Sequence, residues 1–172
     1  MRHLGPATLG SLLLLLIACS SGTDQSADMA PPPDRYEKPA RPGLGVVVLR
    51  EVRTAGHQEF DRVVFEFEGD EVPGYRVAYV DAAIQCGSGE PAALAGEALL
   101  EVQLTPAQAH TEAGKPTVRN RERRLDLAAL KEIESTCDFE ADVTWVLGLG
   151  SHKAFRVLAL TNPARLVLDI KH

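Results

Sequence analysis

The sequence predicts an all-β protein, folded as a β-sandwich of mostly antiparallel strands. Three observations support this class: short runs in which apolar and polar residues alternate, turn residues between the runs, and very little helical spacing. Alternation with a period of two is typical of a strand that buries one face, and a second sheet must then cover the apolar side. The content of 45% hydrophobic and 24% charged residues is ordinary for one folded domain.

The alternating runs begin at Leu44 and continue to the end of the chain. Their apolar members are Val46, Val48 and Val52; Val63, Phe65 and Phe67; Tyr75, Val77 and Tyr79; Leu100, Val102 and Leu104; Val143, Trp145, Leu147 and Leu149; and Leu166, Leu168 and Ile170. The run over 155–160 is apolar on both faces apart from Arg156, which is typical of a central strand. Turn signals at Pro73-Gly74 and Asn162-Pro163 separate neighbouring runs.

One segment before the last strands is compatible with two structures. Its apolar residues have helical spacing over 127–133, whereas residues 133–139 alternate. We favour one helical turn at 126–130 followed by a strand. That strand forms a hairpin with the next strand through residues 140–142. In this arrangement Cys137 lies on the inward face of its strand.

The amino-terminal segment resembles the signal of a bacterial lipoprotein. A basic Arg2 precedes an apolar stretch over 9–17, and Leu16-Ile17-Ala18-Cys19 match the lipobox of that family. The apolar stretch is shorter than the roughly 20 residues that span a bilayer. The resemblance implies that residues 1–18 are removed, and that Cys19 becomes the first residue and carries the acyl groups. An ordinary signal peptide with a chance cysteine is the alternative.

Residues 19–43 are predicted to be the lipidated cysteine and a disordered linker. Small polar residues fill the first part of this segment, and prolines are frequent in the second part. The segment has no hydrophobic period with which it could bury a face. The folded domain is therefore predicted to cover residues 44–172, held away from the membrane by the linker.

Cys86 and Cys137 remain as an even pair of cysteines outside the cytoplasm. A disulfide between them closes a loop of about 50 residues, worth up to about 4 kcal/mol in the chain-entropy model. Two free buried thiols are the alternative. The sequence therefore favours a disulfide without excluding free thiols.

Positive charge is concentrated in one short segment of an acidic chain whose formal net charge is −6. No basic stripe supports nucleic-acid binding. The dense cluster consists of Arg119, Arg121, Arg123 and Arg124. A solvated loop or strand edge is its simplest explanation. The alternative is contact with an anionic envelope polymer or a lipid headgroup, and these four arginines are our candidate ligand-binding residues.

Residues with catalytic or metal-binding chemistry do not form a recognisable motif. His110 and Glu112 offer two metal ligands without an evident third, and Ser88 lacks the outer glycines of a nucleophile elbow. Cys86 is a potential nucleophile with His110, but a disulfide is its more frequent fate outside the cytoplasm. We expect a non-enzymatic protein without metal or cofactor. An enzyme would need a pocket that gathers His110 with carboxylates from other strands.

Two segments stand at the beginning and end of the predicted domain. Residues 60–67 read Phe-Asp-Arg-Val-Val-Phe-Glu-Phe, and residues 163–170 read Pro-Ala-Arg-Leu-Val-Leu-Asp-Ile after the run at 155–158. Together with Pro73-Gly74-Tyr75 and Asp138-Phe139-Glu140, they resemble the AMIN and AMIN-like domains of bacterial envelope proteins. The resemblance implies a β-sandwich. By analogy with AMIN domains that localise cell-wall amidases and secretins, it also implies binding to peptidoglycan.

These observations together predict an extracytoplasmic lipoprotein anchored to the cell membrane, or to the outer membrane where the host has one. Its domain over 44–172 is expected to bind peptidoglycan or a wall-associated component. The expected partners are the membrane, through the lipid on Cys19, and either peptidoglycan or an envelope protein. The alternative is a protein–protein adaptor of an envelope complex that has no affinity for the polymer.

Overall fold

The computed structural model describes Met1 and residues 34–172. The predicted signal peptide, Cys19 and most of the predicted linker lie outside the described residues. Over the described ranges every regular element is a strand, and no segment forms a helix able to cross a bilayer. The predicted all-β class is therefore confirmed.

The described residues form thirteen strands. They are β1 (Arg35–Lys38), β2 (Val47–Gly56), β3 (Phe60–Phe67), β4 (Gly74–Val80), β5 (Ala83–Ile84), β6 (Pro91–Ala92), β7 (Ala98–Thr105), β8 (Ala107–Gln108), β9 (Glu122–Arg124), β10 (Leu130–Phe139), β11 (Asp142–Leu149), β12 (Phe155–Leu160) and β13 (Arg165–Lys171). Sheet 1 has the order β1-β4-β7-β11-β10-β9, and sheet 2 has the order β12-β13-β3-β2-β8. β5 and β6 form a small separate hairpin. The pairings in the two main sheets are antiparallel except that of β2 with β8.

The apolar faces of the two sheets form one common core. In β3 the alternate residues Val63, Phe65 and Phe67 are at most 1% exposed, as the period of two predicts. Trp145 of β11 is fully buried and meets Phe65 edge-on, with ring centroids 6.2 Å apart. Full burial of one large apolar side chain contributes about 1.5–3 kcal/mol, so the many buried side chains of this core stabilise the face-to-face packing of the two sheets.

One strand lies inside the segment that was expected to be a disordered linker. β1 pairs with β4 at the edge of sheet 1, with Tyr36 opposite Val77. Tyr36 also contacts Phe155, with ring centroids 5.3 Å apart, and packs against the core. The folded part therefore begins by Arg35 rather than at residue 44. An open sheet edge offers backbone hydrogen bonds to a segment that has no hydrophobic period of its own.

The predicted helical turn at 126–130 is wrong, and the chain there is irregular until β10 begins. The carboxylate of Asp61, which is 1% exposed, accepts hydrogen bonds from the backbone N–H groups of Ala129 at 2.7 Å and Leu130 at 2.9 Å. These bonds fix the entry to β10 in a non-helical geometry. The strand then forms the predicted hairpin with β11, and turn residues 140 and 141 have positive φ angles of 49° and 62°.

A β-bulge places the side chain of Cys137 on the opposite face of the sheet from the predicted one. The register between β10 and β11 shifts between Ser135 and Cys137, so that Ser135 lies opposite the buried Trp145 but Cys137 lies opposite Thr144. Residues directly opposite each other share a face, so Cys137 is on the outer face of sheet 1. It forms the expected disulfide there with Cys86, with the two Cα atoms 5.2 Å apart.

The run at 155–160, predicted to be a central strand, is the edge strand β12. It pairs with β13 alone within the described sheet. On the outer face of sheet 2, Leu158 of β12 lies opposite Val167 of β13, which is 3% exposed. The second apolar face of β12 is therefore explained by this neighbouring side chain and not by a further strand. Leu158 and Leu160 remain 39% and 38% exposed.

The segment around β5 and β6 lies across the outer face of sheet 1. A Cβ at Gly148 would overlap the carbonyl oxygen of Ala95, so the two backbones are in direct contact. Glu132 is 1% exposed and accepts a hydrogen bond from the Ala95 N–H at 2.6 Å. The disulfide at Cys86 ties the same segment to β10. This part of sheet 1 is therefore covered by the chain itself.

Candidate functional site

A cleft with a volume of about 420 Å³ opens where one edge of each sheet comes together. One side is β2 of sheet 2, and the other is the segment that leads into β9 of sheet 1. The residues that line this arginine cleft are Arg50, Glu51, Val52, Glu66, Thr117, Val118, Arg119, Asn120 and Arg123. Its position at the sheet edges leaves it outside the part of sheet 1 that β5, β6 and their loops cover.

Two hydrogen bonds hold the sides of the cleft together. The hydroxyl of Thr117 donates to the carbonyl of Leu49 at 2.5 Å. The Nη2 atom of Arg123 donates to the carbonyl of Val52 at 2.9 Å. Both acceptors are backbone atoms of β2, so two side chains of the facing segment tie that segment to the main chain of β2.

Three arginines, which we call the cleft arginines, line this space: Arg50, Arg119 and Arg123. Arg50 and Arg119 are exposed. In the part of the chain that the structure describes, none of the three lies within 4.0 Å of a carboxylate oxygen. Their positive charge is therefore not neutralised by a direct partner.

Arg123 is the innermost of the cleft arginines and has an unused donor. Its Nε atom is shielded from solvent and has no hydrogen-bond partner among the described residues. Burial lowers the pKa of the Arg123 guanidinium, and the negative charge of Glu51 partly opposes this effect. A buried donor without an acceptor costs about 1–3 kcal/mol. Among the described residues, Arg121 Nε and Trp145 Nε1 are also buried without a partner, but only Arg123 lines the cleft.

The acidic residues of the cleft are paired with an arginine outside it. Arg53 donates from Nη1 to Glu51 at 2.5 Å and from Nη2 to Glu66 at 2.8 Å. These hydrogen bonds, with that of Glu66 the larger effect, raise the pKa of Arg53 despite its partial burial. Arg53 offsets one of these two negative charges, so the three cleft arginines still leave an excess of positive charge.

The structure separates the four arginines predicted from the sequence. Arg119 and Arg123 line the cleft. Arg124 is 77% exposed, and its nearest carboxylate oxygen, on Glu132, is 3.7 Å away. Arg121 forms an ion pair with the buried carboxylate of Asp138. Arg50, which lies in β2 far from the cluster in sequence, joins Arg119 and Arg123 only because the two sheets pack together.

His110 and Arg121 share the carboxylate of Asp138, whose side chain is 6% exposed. His110 Nδ1 lies 2.9 Å from Oδ1, and Arg121 Nη2 lies 2.5 Å from Oδ2. Burial alone would raise the pKa of Asp138, but hydrogen bonds from the Ala109 N–H, Arg121 and His110 hold it below the usual value. This cluster attaches the segment after β8 to β10. Cys86, the potential nucleophile beside His110 in the sequence analysis, forms the disulfide with Cys137.

The family model for the AMIN-like domain matches residues 47–172. This range contains every strand from β2 to β13 and all residues that line the arginine cleft. No protein of curated function and no solved structure matches the chain. The β-sandwich and the match over most of its length agree with the resemblance seen in the sequence. The chain therefore belongs to the AMIN-like family of domains, which have their place in the cell envelope outside the cytoplasm.

Proposed function

We propose that this protein is a non-enzymatic, lipid-anchored module of the cell envelope whose AMIN-like domain binds peptidoglycan or a wall-associated component. The observation that carries the proposal is the family match over residues 47–172. The arginine cleft adds support, because its excess positive charge suits an anionic polymer.

The anchor in this proposal is the lipidated Cys19, and it rests on the lipobox at Leu16-Ile17-Ala18-Cys19. Fatty-acid labelling of cells that produce the full chain tests it. We expect label on the wild type and none on Cys19→Ala, because the thiol is the acceptor of the acyl group. Equal labelling of the two would contradict the anchor without touching the proposal about the domain.

The non-enzymatic role is supported by how the reactive side chains are used. Cys86 is bonded to Cys137, and Asp138 already accepts hydrogen bonds from His110 and Arg121. Such groups hold loops in place. They are not arranged around the arginine cleft, whose lining contains no histidine or cysteine.

Sedimentation with purified sacculi tests the binding proposal. The full chain, kept soluble in mild detergent, is mixed with sacculi at about 0.15 M salt and at several higher salt concentrations. We expect it to pellet with the sacculi and to be released as salt increases, because part of the attraction is electrostatic. Insoluble cellulose serves as the matched polymer without charge. Complete recovery in the supernatant at all salt concentrations would contradict the proposal.

A protein–protein adaptor is the second candidate, and the edge strand β12 favours it. Its outer backbone edge is open in the described sheet, and Leu158 and Leu160 are partly exposed beside it. A partner can add a strand to such an edge. Cross-linking in intact cells would then capture one defined envelope protein, while sacculi would bind none of the purified chain.

A further inference from the structure

We infer that the arginine cleft is a carboxylate-binding site, and that its occupant is a free carboxylate on the peptide stems of peptidoglycan. The inference rests on the proposed function and names the chemical group that the domain recognises. It follows from three features of the cleft: its unneutralised charge, an unused buried donor, and its size.

The charge of the cleft is arranged for an incoming anion. The cleft arginines have no carboxylate within 4.0 Å among the described residues. Glu51 and Glu66 on the rim are held by Arg53, which comes from the outer face of sheet 2. Glu51 still acts on Arg123 at longer range, but neither carboxylate bonds to a cleft arginine, so an external anion does not have to displace an internal one.

The unused donor gives the position of the anion within the cleft. Arg123 Nη2 donates to the Val52 carbonyl at 2.9 Å, which orients the guanidinium group. The neighbouring Nε is shielded from solvent and has no partner among the described residues. A small shift of the Arg123 side chain would bring Nε to a carboxylate oxygen, which would satisfy the donor with a charge-assisted hydrogen bond.

The size of the cleft and its polar lining suit a carboxylate carried on a peptide. A cleft of about 420 Å³ accommodates a short stretch of peptide, and it lies in the usual range of roughly 300–1,000 Å³ for ligand sites. The side-chain amide of Asn120 adds a donor and an acceptor suited to a peptide backbone.

The first test compares three preparations of the same sacculi with the full chain in detergent. One is untreated, one has its carboxyl groups amidated with a carbodiimide and an amine, and one is treated with hydrofluoric acid to remove phosphodiester-linked polymers. We expect amidation to weaken binding about tenfold, the effect of one charge-assisted contact. We expect the acid treatment to change it little. Loss of binding after acid treatment alone would overturn the inference in favour of a phosphate ligand.

The second test uses variants. Arg50→Gln combined with Arg119→Gln removes two exposed charges, and Arg123→Gln removes the buried donor. Each is expected to weaken binding to untreated sacculi about tenfold. The matched control combines Arg35→Gln with Arg41→Gln, which removes two exposed arginines outside the cleft lining. It is expected to bind like the wild type.

The outcomes separate this inference from the proposed function. If the wild type binds all three preparations equally, or the control weakens binding as much as the cleft variants do, the inference fails while wall binding stands. If the wild type binds no preparation, the proposed function itself fails. Because Arg50 and Arg119 are exposed, their double variant keeps the test decisive even if Arg123→Gln fails to fold.

Discussion

Arginines on the outer face of sheet 2 have a partner that the cleft arginines lack. Arg62 donates to Asp169 at 2.6 and 2.8 Å, and Arg156 donates to the same carboxylate at 2.8 Å. Both guanidinium groups also lie over the ring of Phe60, at 5.1 and 5.7 Å from its centroid. The carboxylate of Asp169 is 3% exposed, although it projects from the outer face.

The difference indicates two roles for one residue type on one small domain. Around Asp169 the positive and negative groups satisfy each other, so these arginines hold strands β3, β12 and β13 together. Among the described residues, the cleft arginines have no carboxylate partner, and the Nε of Arg123 is buried without an acceptor. The first arrangement is complete without a ligand, and the second is not. Four predictions test this distinction.

The largest expected effect is on stability, at Asp169. Asp169→Ala removes the acceptor of two arginines and leaves both without an ionic partner. We expect the free energy of unfolding to fall by about 2–3 kcal/mol, because Arg62 and Arg156 remain partly hydrated. Urea denaturation measures this change. Binding to sacculi by the folded variant should be unchanged, and a parallel loss of binding would break the distinction.

The contribution of Asp169 to the free energy of unfolding should decrease as the pH is lowered. Burial raises the pKa of Asp169, but the hydrogen bonds from Arg62 and Arg156 outweigh it and hold the pKa below the usual value of about 3.8. A carboxyl group whose pKa is lower in the folded state than in the unfolded state stabilises the fold fully at pH values above its unfolded-state pKa. This stabilisation is lost as the pH falls through the folded-state pKa. The difference between wild type and Asp169→Ala should therefore shrink to about 1 kcal/mol or less in strong acid. A difference that grows on acidification would contradict this account.

A smaller effect is expected from the arginine that shields the cleft. Arg53→Gln releases Glu51 and Glu66, which then approach the cleft arginines and compete with an external anion. We expect binding to sacculi to weaken about threefold, or about 0.7 kcal/mol, although Arg53 itself does not line the cleft. Arg41→Gln is the matched control on an exposed pair. Unchanged binding by Arg53→Gln would show that the rim carboxylates are not restrained in this way.

The smallest expected effect is on the stability of a cleft variant. Arg119→Gln removes an exposed side chain without an ionic partner among the described residues, so the free energy of unfolding should change by less than about 0.5 kcal/mol. Thermal unfolding checks this. A destabilisation comparable to that of Asp169→Ala would mean that Arg119 is structural, and the distinction between the two groups would disappear.

The sequence predicted those parts of the fold that bury one face. The alternation in β3, β7, β11 and β13 was sufficient because their inward residues meet the opposite sheet. β1 has no such pattern, since it is held by the backbone of β4 and by the ring of Tyr36. The bulge before Cys137 inserts one residue without a local signal, so its direction was predicted wrongly while its disulfide partner was predicted correctly.

The candidate site was only partly visible in the sequence. The density of arginines along the sequence identified the cluster that contains Arg119 and Arg123. The same cluster includes Arg121, whose charge is paired with that of Asp138. That partner lies in β10 and approaches only in the folded chain. Arg50 could not be found, because an isolated exposed arginine in a strand is ordinary. It becomes informative only when packing of the two sheets places it across from β9.

The added strand β1 has a practical consequence for anyone who produces this domain. A recombinant fragment cut at residue 44, or at the family boundary of 47, would leave out β1. The edge of β4 (Gly74–Val80) would then present unpaired amide and carbonyl groups, and the aromatic face of Phe155 would lose its cover. Such edges promote self-association. Expression should therefore begin upstream of Arg35, or poor solubility will be mistaken for a property of the native protein.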